Sequence, residues 1–450
     1  MMRILVVAYY FPPRGGAGTQ RFAKFCKYLP EFGIEPIVLT SGGADRYAPH
    51  DDPSLETAAG TRVERVESPK RGSAWRRVQR LLRLSIDEDE WADVAAERAA
   101  ALVRECSPSA VVTTVSPFAC YRIGMRLQRE FGLPWLLDMR DPWALDGWRR
   151  YRSVLHAGND LRHMRTALAR ADCVIANVPQ AKEEFIRAGA DAGRTVVIPN
   201  GFDEPDFAGP RRAAPSADRL DLVHMGTLHS LDVAPGFTAN SALVRRHRQI
   251  APLGRTGHYL LHAAQLLRER EPELFARLAI HLYGQVDDSH RRRVQELGLQ
   301  DCVILHGYVS HAETIAALRA CDAVFVPLHD VPAGERALVV PGKLYEALAS
   351  ERVVVAALPA GDGADLVRLA DAGPVVNPTD AAALAAALGE LVSAHRRGEP
   401  RRGAHSERLA MFTRRHLSEL LARAIDAAVR RDPRIDVESP WAALARQESA

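Results

Sequence analysis

Cysteine pairing is missing from this chain: Cys26, Cys106, Cys120, Cys173, Cys302 and Cys321 stand apart, with no C-x-x-C pair among 450 residues. That excludes a disulfide framework and a thiolate metal centre, and the six read as small core residues of a reducing compartment. An excess of one charge is missing too. Lys and Arg number 59 against 56 Asp and Glu, a net +3, too little at this length to call for a nucleic-acid partner through bulk electrostatics. No run nears the roughly 18 apolar residues of a membrane-spanning helix. The N-terminus enters a strand without a basic-then-apolar leader. The expectation is a cytoplasmic protein, with peripheral attachment to the inner face of the membrane left open. The sixteen histidines include no H-E-x-x-H pattern, so no metal site is expected. Neither G-x-G-x-x-G nor G-x-x-x-x-G-K occurs, which disfavours a dinucleotide-dependent dehydrogenase and a P-loop enzyme.

What is present is alternation. Apolar strand-like runs fall at Ile4–Tyr9, Pro36–Leu39, Ala110–Thr114, Pro134–Asp138, Cys173–Ala176 and Val196–Ile198. A second series falls at Asp221–His224, Leu278–Leu282, Val303–Leu305, Ala323–Pro327, Val353–Ala356 and Pro374–Val376. Helical patterns separate most of them, which predicts an α/β protein of two Rossmann-like, doubly wound parallel-sheet domains. The boundaries read as 1–203 for the first domain, a Pro/Ala/charge-rich linker over 204–220, 221–405 for the second, a further amphipathic helix over 406–430 and a tail over 431–450.

Residues 321–358 hold the sharpest local signal. A strand ends in a Gly/Pro-punctuated loop, Pro341 suits a first helical position, and the amides of Gly342, Lys343 and Leu344 then open an anion-attracting helix start. One turn on lies Glu346, placed for sugar hydroxyls. The same residues also fit an ordinary α/β helix with Glu346 in water. At the N-terminus, FPPRGGAGTQR puts Gly15, Gly16 and Gly18 between a strand and a helix, where backbone amides can approach phosphate. In WLLDMRDPW the strand runs out into Asp138, Arg140, Asp141 and Trp143, at the strand end where such folds bind ligands. Asp141 is read as holding an acceptor hydroxyl or acting as a base, and Trp143 as a stacking surface for a sugar; equally, Asp138 caps a turn and Arg140 pairs with Asp141. Gly226 and Thr227, and separately Gly284, follow strands of the second domain. The HGYVSHAE segment beyond Leu305 offers backbone for a base edge.

Three further segments have two readings each. Residues 69–84 set Trp75, Val78, Leu81 and Leu82 against Arg76, Arg77, Arg80 and Arg83, as in a basic amphipathic helix on an anionic membrane or one packed on its own domain. The long connection Leu228–Gly257 carries VRRHR and Arg255, which reach a diphosphate or lie on the surface. Asp87-Glu88-Asp89 spells a D-x-D triplet, but it precedes a helical run and reads as compensation of the helix dipole.

Taken together, PPRGGAG, DMRDPW, IPNGFD, MGTL, PGKLYEALAS and VVVAALPAGDGAD resemble, in order and spacing, the bacterial GT-B glycosyltransferases of the family 4 type. The resemblance covers roughly residues 3–430. It implies two domains facing across a cleft with a C-terminal bridging helix, a nucleotide-diphosphate sugar held mainly by the second domain, an acceptor hydroxyl held mainly by the first, and metal-independent transfer with retention. It implies Glu346 at the ribose hydroxyls, Gly15 and Gly16 near the donor phosphates, Pro341 to Leu344 at the diphosphate, and Tyr308 and Val309 at the base. Lys343 and an arginine from the 245–255 loop are the candidates for charge on the leaving group, with Arg140 and Asp141 on the acceptor side. Leu338 stands where the family has the first glutamate of its E-x7-E motif, with Glu335 nearby. The basic residues that usually follow Gly226 are displaced by the long insertion, and the mid-domain histidine has no match near Thr114 to Pro117. A sugar-nucleotide epimerase and a non-catalytic scaffold of the same fold are the alternatives.

Overall fold

The computed structural model describes all of the chain except residues 43–50, 53–54, 56, 58–59, 69–88, 152, 209–217, 234–248, 285, 400–401 and 450. The expected basic helix over 69–84, Asp87 and Glu88, VRRHR and the middle of the linker lie outside the described residues. The described chain divides into two compact units. The first takes in residues of 1–200 and 414–443, the second residues of 201–239, 248–413 and 444–450.

In the first unit, seven parallel strands are ordered β3-β2-β1-β4-β5-β6-β7, with β1 Met2–Val7, β2 Ile34–Ser41, β3 Arg62–Val66, β4 Ala110–Val115, β5 Trp135–Met139, β6 Cys173–Ala176 and β7 Thr195–Val197. β4 and β5 are buried at every position, as expected of parallel strands covered on both faces. Strand β3 escapes the sequence reading. RVERV has no run of apolar residues, and as the edge strand it tolerates the charge that hides it.

The core beneath this sheet joins the two ends of the chain. Leu417, Leu420, Leu421, Ala424, Ile425 and Ala428, spaced along one face of the helix Arg414–Val429, pack with Ile4, Val6, Phe22, Phe25 and Leu136. Chain order reverses across the sheet at β1 and β4, which opens a crevice at their carboxyl ends.

The second unit repeats the plan with six parallel strands ordered β10-β9-β8-β11-β12-β13: β8 Leu220–Met225, β9 Leu278–Tyr283, β10 Val303–Gly307, β11 Ala323–Pro327, β12 Val353–Ala357 and β13 Val375–Val376. One face is covered by the helices His258–Arg270 and Ala381–Arg396 through Leu260, Ala263, Ala264, Leu267, Leu384 and Leu388. The reversal point here lies between β8 and β11. Gly226, Thr227, Gly284, Tyr308 and Val309 lie just beyond the ends of these strands, and Gly342 to Glu346 lie in the helix Gly342–Ala349 that follows the β11 loop.

Candidate functional site

The second unit gathers positive charge at its reversal point. The helix Gly342–Ala349 begins just after the β11 loop, with Pro341 as its N-cap rather than its first residue. Leu344 does not offer a free amide as expected, because its N–H donates to the Pro341 carbonyl at 2.9 Å. The opening amides are those of Gly342 and Lys343, which precede the helix's own bonding pattern. The Lys343 side chain reaches back to the end of β8: Nζ lies 3.2 Å from His224 Nε2 and 3.4 Å from where a Cβ on Gly226 would stand. His224 is fully buried, and its Nδ1 lies 3.0 Å from the Phe325 carbonyl. A carbonyl only accepts, so Nδ1 carries the proton and Nε2 receives Lys343. Burial and the Lys343 charge hold His224 neutral, its pKa well below the ordinary value.

Arg255 completes this cluster from the long insertion. Ala251 is clipped to Asp330, just beyond β11, by reciprocal backbone bonds of 2.9 and 3.2 Å. The short turn Pro252–Arg255 follows. Burial, and next the Arg255 guanidinium, lower the Lys343 ammonium to about 7, with Glu346 opposing them. Burial and Arg255 likewise bring His229 to about 4 and His329 to about 3. A buried lysine lowered further by a neighbouring guanidinium, among neutral imidazoles, forms a site suited to an anion.

Around this cluster, Gly226 and Gly284 sit at adjacent strand ends. A Cβ on Gly284, whose φ is +116°, would stand 2.5 Å from the Gly226 carbonyl oxygen, so the two loops meet backbone to backbone. Thr227 is exposed. Tyr308, 44% exposed, and half-buried Val309 lead from β10 into the helix His311–Ala320. Glu346 is mostly buried, its Oε1 3.9 Å from His311 Nδ1. Leu338 is buried in the apolar interior. His229, His311, His329 and Asp206 escape the sequence reading. His229 and His329 are drawn together around Arg255, and His311 and Asp206 pair across 105 positions, and nothing local signals either.

A cavity of about 550 Å³ also lies in this unit, among Phe202, Phe207, Arg319, Ala349, Ser350 and Arg352. It adjoins the far end of the helix Gly342–Ala349, and none of the residues around Lys343 lines it. His258 and His262 stand at i, i+4 spacing on one helix, but Arg293 Nη2 occupies His262 Nε2 at 2.7 Å.

In the first unit the structure joins the glycine loop to DMRDPW. Arg140 donates to the carbonyls of Gly18 at 3.0 Å and Ser116 at 3.4 Å and pairs with Asp141 at 3.2 Å. Gly15 is buried, while Gly16, the N-cap of the helix Ala17–Tyr28, is exposed. The Asp141 carboxylate is 38% exposed.

Two expectations are corrected here. Asp138 is not available to an acceptor: 1% exposed, it binds Arg21 at 2.6 Å and receives the Thr114 hydroxyl at 2.7 Å. Arg21 in turn donates to the carbonyls of Ile198 and Pro199. Trp143 offers no sugar-stacking face. It is 1% exposed, stacked on Phe118 at 5.2 Å and 14°, and its indole N–H donates to Asp160 at 2.8 Å.

Comparison with known proteins agrees with this architecture. The family described as "Glycosyl transferase 4-like domain" matches residues 15–201, and "Glycosyl transferases group 1" matches residues 253–394. The chain belongs to the GT-B glycosyltransferases of the group 1/4 type. A D-inositol 3-phosphate glycosyltransferase of Kineococcus radiotolerans is 32% identical over 200 residues. That match covers 42% of this chain and 40% of the relative, less than half of either. Among solved structures, sucrose-phosphate synthase of Thermosynechococcus elongatus aligns with a TM-score of 0.61 at 18% identity, covering 100% of this chain and 98% of that one. Anabaena HepE, solved with UDP and glucose, aligns at 0.55 and 19% identity over 100% of both chains. At these identities the two share the fold with this chain. No described helix is long and apolar enough to cross a membrane.

Proposed function

We propose that this glycosyltransferase moves a sugar from a nucleoside-diphosphate sugar, bound by the second unit, to a hydroxyl acceptor bound by the first, with retention and without a metal ion. The observation that carries the reading is the Lys343–Arg255 pair, two cations at a strand-order reversal whose mutual repulsion a diphosphate would relieve. Lys343, Arg255 and the amides of Gly342 and Lys343 receive the diphosphate. Glu346 receives the ribose, Tyr308 and Val309 the base, and Gly226, Thr227 and Gly284 shape the loops beside the sugar. Gly15 and Gly16 serve the donor phosphates. As the bond between the sugar and the diphosphate breaks, the leaving group takes the electron pair, and the fixed cations stabilise the growing charge. The acceptor oxygen forms the new bond on the face of the sugar from which the diphosphate departs, so the configuration is retained. Its proton passes to Asp141, which Arg140 orients.

Family membership and the activity of the inositol-phosphate relative support transfer to a hydroxyl. Synthesis of a surface glycoconjugate or natural product on the cytoplasmic side is the corresponding role, with residues 69–84 as the membrane contact. Thermal-shift screening against UDP-, GDP-, ADP- and TDP-sugars tests the donor site, since a ligand of the native state raises Tm with occupancy. Stabilisation by one series, lost in Glu346→Ala and Lys343→Ala, is the expected result. No stabilisation by any of them supports a non-catalytic scaffold instead. Free sugar or an epimerised donor formed without acceptor supports an epimerase.

A further inference from the structure

His290 is a fully buried imidazole that the transfer step leaves unused. It lies in the first turn of the helix Asp288–Glu296, whose N-cap Asp287 accepts the Ser289 amide at 3.0 Å. Its Nδ1 is 2.8 Å from Asp287 Oδ1, and its Nε2 is 2.8 Å from the Thr256 carbonyl, 34 positions back in the chain. Burial works against the Asp287 carboxylate, but bonds from Ser230, Ser289 and His290 outweigh it and hold its pKa below the ordinary carboxylate value. Both partners of the ring therefore accept, and the doubly protonated imidazole donates to both.

Thr256 follows Arg255 directly. It is fully buried, and its amide and its hydroxyl both donate to the Leu253 carbonyl, at 3.1 and 2.8 Å, which closes the turn Pro252–Arg255. The front of this turn is fastened at Ala251 to Asp330, and its rear at Thr256 to His290. We propose that His290 is a positioning residue for the diphosphate site, fixing the turn at Thr256 so that Arg255 stays beside Lys343. This rests on the reading of the second unit as the nucleotide-sugar site. A guanidinium placed in advance by its backbone gives up less freedom when the anion binds.

The same helix start also holds the loop beyond β8. Ser289 Oγ receives the Leu231 amide at 3.0 Å and stands 3.5 Å from Ser230 Oγ, next to His229 in the chain. One helix start thus fastens both segments, the one bearing His229 and the one bearing Arg255, whose side chains gather at Lys343. The two bonds of the ring can be separated by substitution. Glutamine sets an amide N–H near the Nε2 position and keeps the bond to Thr256, whereas asparagine sets one near Nδ1 and keeps only the bond to Asp287.

Calorimetric titration of the full chain at one fixed pH with UDP, GDP and ADP, continued with whichever binds most tightly, tests the proposal in a double-mutant cycle with Arg255. His290→Asn should weaken binding about tenfold where Arg255 is present and change it little in the Arg255→Ala background. His290→Gln should stay near the wild type. A merely structural His290 would change affinity equally in both backgrounds, or make the Asn and Gln variants equivalent, and either result overturns the proposal. If His290→Asn does not fold, Asp287→Asn takes its place, since that side chain is 46% exposed and its carboxylate orients the ring. A loss that persists undiminished in Arg255→Ala then overturns the proposal. Binding that Arg255→Ala leaves unaltered overturns it while leaving nucleotide binding intact, whereas binding of none of the three nucleotides removes the donor-site reading as well.

Discussion

Lys343 Nζ stands 3.2 Å from His224 Nε2, and the same imidazole is locked by its Nδ1 to the Phe325 carbonyl. The lysine therefore donates to a neutral ring inside a cationic cluster, with its pKa near 7 rather than 10.5. Two pH effects follow. A diphosphate stabilises the ammonium, so binding above pH 7 takes up a proton, and affinity falls as pH rises past that value. Calorimetry at pH 8 in buffers of different ionisation enthalpy should show this uptake in the wild type and its loss in Lys343→Met. Folding responds in the opposite sense. Between about pH 7 and 10.5 the unfolded lysine holds a proton that the native one has released, so the Lys343 contribution to stability grows with pH across that window.

Arg255→Ala removes the second-largest influence on that pKa. Lys343 should titrate closer to 10.5, while affinity for the nucleoside diphosphate falls by about 1.5–3 kcal/mol, the scale of a charged hydrogen bond. A pH series of diphosphate affinity in this variant measures both changes.

Asp138→Asn should behave as a core defect. It leaves Arg21 charged and buried without its partner, at a cost of about 3–5 kcal/mol. Urea unfolding should register the loss, while the acceptor KM of the surviving folded enzyme stays near the wild-type value.

Asp141→Asn should do the reverse. Its exposed carboxylate can be neutralised at little cost to folding, within about 0.5 kcal/mol. Turnover with saturating donor should fall by about a hundredfold or more if the group takes the acceptor proton. Steady-state kinetics together with a denaturation curve separate the two contributions.

Gly284→Ala places a methyl against the Gly226 carbonyl at a φ that disfavours any side chain. The loops at the ends of β8 and β9 must part, at a cost of about 2 kcal/mol or more. Nucleotide affinity, read by calorimetry, should drop along with Tm.

The strands are legible because parallel strands buried on both faces read as apolar runs. The exception, β3, shows the limit: Arg62, Glu64 and Arg65 lie in an edge strand whose register comes from β2 rather than from its own pattern. Site residues divide in the same way. Lys343 and Glu346 share one helix, so local spacing pairs them. Asp138 and Trp143 mislead because a charged or aromatic residue at a strand end looks alike whether it faces a ligand or a buried partner. The partners, Arg21 and Asp160, lie 117 and 17 positions away. His311 and Asp206, 105 residues apart, are joined only by the fold.

The helix Arg414–Val429 completes the apolar core of a unit that begins at Met1. During synthesis, the first 200 residues leave the ribosome with Phe22, Phe25 and Leu136 lacking part of their cover until more than 200 further residues have followed. Completion of the first unit is thus a late event. A nonsense mutation between residues 200 and 414, even one far from every residue discussed, leaves this apolar surface uncovered and marks the product for aggregation or proteolysis.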